Sequence, residues 1–293
     1  MNAVSDAKPE KLRIAIQKSG RLSDDSLELL KACSVRFSRL KQKLKAEAYN
    51  FPAELLFLRD DDIPGYVADG VADCGIVGQN VLYETGHSLQ EDLALGFGRC
   101  RLSIALPRGE RYNGPASLAG KNIATSYPHL LQKWLSEQGI GAQIHEISGS
   151  VEIAPGIGLA DAICDLVSTG STLASNGLQE VESILRSEAV LISQQNLSEK
   201  KRNILSSLIF RIESVLQAAD YRYILLNAPD DKISEITQIL PGINSPTVMP
   251  LKQAGWSSVH SVVKEAELWP MIEQLRTAGA EGLLVLPIEK MFR

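Results

Sequence analysis

The strongest constraint on this chain is the recurrence of short apolar runs, each closed by a polar or glycine-rich loop and followed by a stretch with helical periodicity. Leu12-Arg13-Ile14-Ala15-Ile16-Gln17 reads as a strand and Lys18-Ser19-Gly20-Arg21 as its loop. Ser23-Asp24-Asp25 reads as the cap of a helix running through Leu27, Leu29 and Leu30. Residues 54–58 read as a second strand, Asp60-Asp61-Asp62-Ile63-Pro64 as a helix start, and residues 72–78 as a short buried strand ending at glycine. Such alternation predicts an α/β fold, a parallel or mixed sheet covered by helices.

The rhythm restarts near Cys100, with strands expected at 101–106, 122–125, 142–147 and 161–167 and a helix at 128–137. Residues 180–192 then read as extended and 199–219 as a long amphipathic helix, crossing back to the first unit. Two lobes joined by two crossings leave a cleft, a usual place for ligands. The remaining residues carry strands at 221–227, 245–250, 256–263 and 282–286 with helices at 230–240 and 268–278, the β-α-β-β-α-β order of a ferredoxin-like (ACT-like) domain. The expected division is therefore 1–98 with 187–218 as the first lobe, 99–186 as the second and 219–293 as a binding or regulatory domain.

Composition removes several function classes. At 293 residues and 44% hydrophobic, the chain has ample material for cores and is not disordered. Thirty Lys+Arg against 35 Asp+Glu give a net charge of -5, without a basic block to neutralise a run of phosphates, so no nucleic acid partner is expected. No apolar run approaches the ~20 residues that span a bilayer, and the N-terminus lacks an export signal, so no membrane partner and a cytoplasmic location are expected. Cys33, Cys74, Cys100 and Cys164 form no Cys-x-x-Cys pair and read as small buried residues. The four histidines, His87, His129, His145 and His260, lack the spacing of a transition-metal site.

The stretch richest in chemistry is GSVEIAPGIGLADAICDLVSTGSTLASNG, residues 149–177. Its apolar strand ends in Ser168-Thr169-Gly170-Ser171-Thr172, a glycine-centred loop with hydroxyls on both sides that leads into a helix start. Backbone N–H groups and hydroxyls so arranged cradle a phosphate, and the glycine admits close backbone approach. Asp165, three residues before the loop, and Glu152 upstream are placed to address sugar hydroxyls. A Ser/Thr/Gly cluster is also a common capped turn, but the added carboxylates favour a phosphorylated ribose. The loop is neither a Walker sequence nor a dinucleotide fingerprint.

These residues, with LRIAIQKSGRLSDDS, RDDDIPGYVADGVADCGIVGQNVL, IATSYPHL and VLPIEKM, closely resemble the long-type ATP phosphoribosyltransferase family over nearly the whole chain. The resemblance implies a two-lobed, periplasmic-binding-protein-like core plus the C-terminal regulatory domain. It implies that adenine N1 of ATP attacks the ribose C1 of 5-phosphoribosyl 1-diphosphate (PRPP), releasing diphosphate in the first step of histidine biosynthesis, with Mg²⁺ required. Residue by residue, it implies that Ser168, Thr169, Gly170, Ser171 and Thr172 hold the PRPP 5′-phosphate and that Glu152, Asp165 and Arg59 are catalytic. Lys18, Arg21, Asp73 and Tyr127 are implied to address ATP. Taken singly, Arg21 and Arg59 favour surface pairing with Asp24, Asp25, Asp61 or Asp62, a balance that the motif context reverses, and Tyr127 equally suits core filling. Gln79 departs from the acidic residue common in the family. The last domain is implied to bind histidine as a feedback inhibitor through Asn227 and Thr247, with His260 read as structural. A homo-oligomer, dimers assembling to a hexamer, and independence from a separate regulatory subunit are also implied.

Overall fold

The computed structural model describes residues 10–38, 44–240, 242–243 and 245–292. The first lobe contains β1 (Leu12–Gln17), α1 (Arg21–Ala32), β2 (Lys45–Glu47), β3 (Ala53–Leu58), α2 (Ile63–Ala68), β4 (Cys74–Gly78), α3 (Gln79–Thr85) and β5 (Gln90–Ala94). The second contains β6 (Cys100–Pro107), β7 (Asn122–Thr125), α4 (Pro128–Glu137), β8 (Gln143–Glu146), β9 (Ala162–Val167), α5 (Ser171–Ser175) and β10 (Leu178–Ser187). The chain returns to the first sheet as β11 (Ala189–Ser193) and continues into α6 (Glu199–Ala219). It ends with β12 (Tyr221–Pro229), α7 (Ile233–Ile239), β13 (Thr247–Pro250), β14 (Trp256–Lys264), α8 (Leu268–Thr277) and β15 (Glu281–Pro287).

The first sheet has the order β2-β3-β1-β4-β11-β5 and the second β10-β6-β9-β7-β8. Each is built around a parallel trio, β3-β1-β4 and β9-β7-β8, to which the crossing strands add antiparallel partners. The parallel strands are apolar on both faces because helices cover both; Leu12, Ile14, Ala15 and Ile16 are all fully buried. The crossings hold one another: Leu95 N donates to Ala189 O at 2.9 Å and Ala189 N to Phe97 O at 2.9 Å.

Compact units form from residues Met1–Ser206 and Ser207–Arg293. Within the C-terminal unit the strand order β13-β14-β12-β15 is antiparallel throughout, which is the ferredoxin-like order 2-3-1-4. Ile224, Leu226, Val259 and Val263 pack under Ile236 of α7 and Leu268, Met271 and Leu275 of α8.

Two expectations need correction. The first helix begins at Arg21 rather than at Ser23-Asp24-Asp25, and its N-cap is Gly20 at φ 100° with no side-chain cap bond. Its early start follows from glycine's freedom to take that backbone angle. The expected extended run 180–192 is two strands in different sheets, separated at Glu188. Local apolar pattern cannot register a change of sheet because both strands are equally extended.

Candidate active site

In each lobe the C-terminal ends of the parallel strands carry most of the core residues singled out above, Asp73 excepted, in agreement with the rule that open α/β sheets bind ligands there. Gln17 of β1 lies beside Leu58 of β3, so Lys18 and Arg59 leave the same edge, with the Lys18 amide donating to Leu58 O at 2.7 Å. Arg21 and Arg59 are exposed, and among the described residues neither forms an ion pair with the aspartates near it in sequence. Their charges are thus uncompensated at the edge where an anionic substrate would arrive.

On the opposite lobe, β9 ends at Val167 and the chain turns through Ser168-Thr169-Gly170 into the single turn of α5. Gly170 takes φ 79°, a left-handed angle that opens the loop. The four hydroxyl residues around it are exposed, and Thr169 Oγ1 lies 3.0 Å from Ser171 Oγ. Asp165 sits on the strand before them, and Glu152 on a short turn, 151–153, whose charge reaches it. Burial, chiefly, with some repulsion from Glu152, pushes the Asp165 carboxyl above its ordinary range against the Leu166 amide that donates to it at 2.8 Å.

The lobes meet through polar contacts at this same end. Asn80, in the first turn of α3, donates from Nδ2 to the Tyr127 hydroxyl at 3.1 Å, while its Oδ1 accepts from Ser187 of the crossing at 2.8 Å. Glu84 accepts from the backbone of His129 and Leu130 at 2.9 and 3.0 Å, so a carboxylate of the first lobe caps α4 of the second. Desolvation, then Asp165, Asp61 and Asp60, raise the Tyr127 hydroxyl's pKa, while the Asn80 bond opposes them. Asp60, whose charge reaches Tyr127 and Cys100 of the second lobe, has its Oδ1 buried and, among the described residues, without a hydrogen-bond partner, and burial and Asp61 push its carboxyl up to about 6. A cavity of 720 Å³ opens here, bordered by Gln79 of the first lobe, Ser168 of the loop and residues of both crossings.

The described residues 59–214 match the family model for ATP phosphoribosyltransferase, and 218–290 match that of the HisG C-terminal domain. The curated ATP phosphoribosyltransferase of Cytophaga hutchinsonii is 59% identical over 96% of this chain and 99% of its own. The chain belongs to the long-type ATP phosphoribosyltransferase family. The relative in Phocaeicola vulgatus is 53% identical over 96% of this chain and 99% of its own. Among solved structures, an ATP phosphoribosyl transferase (HisG:HisZ) complex from Thermotoga maritima is similar at 31% identity and TM-score 0.59, covering 69% of this chain and 98% of that one. Membership makes this chain a pentosyltransferase of histidine biosynthesis.

Within the phosphoribosyltransferase core, Glu152, Asp165 and the Ser168–Thr172 loop share one region, while Lys18, Arg21 and Arg59 share the edge of the first sheet. Asp73 does not join them. It precedes β4, at the other end of the sheet, only 1% exposed. There it accepts from the Arg13 amide at 2.8 Å and pairs with Lys201 at 2.9 Å and the Arg13 guanidinium at 3.2 Å. Its expected place at ATP is corrected accordingly: it is an interior carboxylate satisfied by two cations. Tyr127 packs on the second lobe's core and bonds to Asn80, so it ties the lobes together.

The sequence reading missed the polar face of β6. Arg101 and Ser103 alternate with buried Leu102 and Ile104, and Asp165 lies directly opposite Ser103. Glu180 on β10 forks onto Arg101 and accepts from Ser103 at 2.8 Å, while Arg101 also donates to Ser168 O at 3.2 Å. Alternation was the available signal, but which neighbours meet it depends on the strand order.

In the C-terminal unit, Thr247 lies opposite His260 and Asn227 opposite Ser258, placing both effector candidates on the face away from α7 and α8. His260 is held between the Tyr223 hydroxyl at 2.7 Å and Ser258 Oγ at 3.0 Å.

Proposed function

We propose that the enzyme transfers the 5-phosphoribosyl group of PRPP to N1 of ATP with release of diphosphate, and that histidine inhibits it through the C-terminal unit. The observation that carries the reaction is the pairing of Glu152 and Asp165 with the open, hydroxyl-lined loop 168–172. The loop binds the 5′-phosphate and so fixes the sugar over the carboxylates. As the C1–oxygen bond to diphosphate breaks and the N1–C1 bond forms, positive charge grows on the ring, where the ionised carboxylates stabilise it. Arg59, with Arg21 and Lys18, meets the phosphates from the facing edge.

Among the described residues no group of three His, Cys, Asp or Glu forms a ready metal cage. The oxygen donors Glu152 and Asp165 fit Mg²⁺ carried on substrate phosphates, where it would offset charge on the departing diphosphate. Among those residues, too, no helix is long and apolar enough to cross a membrane; with a biosynthetic role this supports a cytoplasmic enzyme. Division into lobes at 1–98 with 187–218 and at 99–186 is supported by the membership of β1–β5 and β11 in one sheet and of β6–β10 in another, and a separate regulatory domain at 219–293 by its own four-stranded sheet, although the compact units divide at 206/207, within α6. Homo-oligomerisation and self-contained regulation complete the reading.

The test is to mix ATP, PRPP and Mg²⁺ with the protein and follow the ultraviolet absorbance of N1-substituted adenine, with and without histidine. Absence of product at every enzyme concentration sinks the reaction; product formation indifferent to histidine sinks the regulation.

A further inference from the structure

Arg101 and Arg186 of the second lobe take no part in the transfer as proposed. Arg186 of β10 stands directly opposite Arg101 of β6 in the antiparallel register, so both side chains leave the same face of the sheet. That face is also Asp165's, since Ser103, one pair further along at about 7 Å, opposes it. Both arginines border the 720 Å³ cavity together with Ser168.

Like charges directly opposite on neighbouring strands repel. Arg101's charge is answered by the two-pronged contact with Glu180, which also holds the guanidinium in place beside the loop. Arg99, at the cavity rim, has Glu188 at 3.5 Å. Arg186 is exposed and has no such partner among the described residues. A fixed guanidinium and a free one, side by side beside a phosphate-type loop, leave one positive charge for an outside anion to neutralise. Their planar forks suit a phosphoryl group.

We propose that Arg186, with Arg101, forms a second phosphoryl-binding position beside Ser168, which takes the diphosphate end of PRPP or the triphosphate end of ATP. The identity of the anion rests on the transfer reading; the site itself does not. Glu180 acts as its positioning residue, holding Arg101 toward the loop.

Calorimetric titration of inorganic diphosphate into the full-length protein tests the site directly. Arg186→Ala should weaken binding by about ten- to a hundredfold, the worth of a charge-assisted contact, and Arg186→Lys should recover part of it. Steady-state kinetics then separate the sources: a raised KM for PRPP alone assigns the diphosphate, and a raised KM for ATP alone assigns the triphosphate. Diphosphate binding and both KM values within twofold of the parent protein overturn the proposal. Because the titration needs no turnover, an inactive protein whose diphosphate binding still depends on Arg186 would reject the transfer reading and keep the site. Arg186 is exposed, and matching thermal melts establish that both variants are folded.

Discussion

Asp165 and Asp60 are carboxylates that the fold makes harder to ionise, with different consequences. In the proposed transfer Asp165 has to be charged to stabilise a developing ring cation, yet burial and Glu152 raise its pKa. Activity should therefore fall on the acid side at a pH above the ordinary carboxylate range, and Glu152→Gln, by removing a like charge, should move that limb to lower pH. Asp165→Ala should lower turnover about 100-fold or more with the melting temperature little changed. Asp60 is a matter of stability. Its folded pKa of about 6 exceeds the model-compound value of 3.8, so the folded chain holds the proton more tightly. That contribution is present below pH ~4 and is lost as pH rises through 6. Asp60→Asn should therefore gain about 1–3 kcal/mol over the parent at pH 8 relative to pH 4, read by urea denaturation at the two pH values.

At the scale of elements, the loop 168–172, proposed to hold the 5′-phosphate, owes its shape to one backbone angle. Gly170 sits at φ 79°, and the nearest atom a Cβ would meet is Val167 Cγ1 at 3.9 Å, so space is no obstacle to Gly170→Ala. The cost is conformational, about 1–2 kcal/mol for an L-residue in the left-handed region. We expect a matching loss of stability in denaturant and a raised KM for PRPP with ATP's nearly unchanged. The α3–α4 junction illustrates a different element-level effect: Pro128 opens α4 without a side-chain cap of its own, and Glu84 of the other lobe supplies the acceptor. A helix start legible in the sequence thus became a contact between lobes.

At the scale of the molecule, an acidic protein of net charge -5 binds two polyanions in the proposed reaction. The total conceals the distribution, because Arg21, Arg59, Arg99, Arg101 and Arg186 gather at strand ends and crossings of the two-lobed core. Such local potential is what an approaching phosphate meets. The C-terminal unit is organised differently: one face of its sheet is covered by α7 and α8, and the other displays Asn227, Thr247 and His260. Asn227→Ala and Thr247→Ala should each raise the histidine concentration for half-inhibition about tenfold while leaving uninhibited kcat and both substrate KM values unchanged. Inhibition curves superimposable on the parent's would place the effector elsewhere.

Local sequence determined most elements, because apolar periodicity, Pro128 at a helix start and glycine at strand ends act over a few residues. The strand Leu12–Gln17, the helix Pro128–Glu137 and the helix Glu199–Ala219 fall where their patterns predict. The loop Ser168–Thr172 and the carboxylates Glu152 and Asp165 were legible for the same reason, since their chemistry is written in one contiguous stretch. Tertiary structure alone decided what lies side by side across sheets. It broke the extended run at Glu188 into strands of two different sheets, set Arg186 against Arg101, and joined Asn80 to Tyr127. It also turned Asp73 inward to Arg13 and Lys201, 60 and 128 positions away. Strand order and lobe closure are properties of long-range packing, and no short-range pattern encodes which distant residue completes a charge pair.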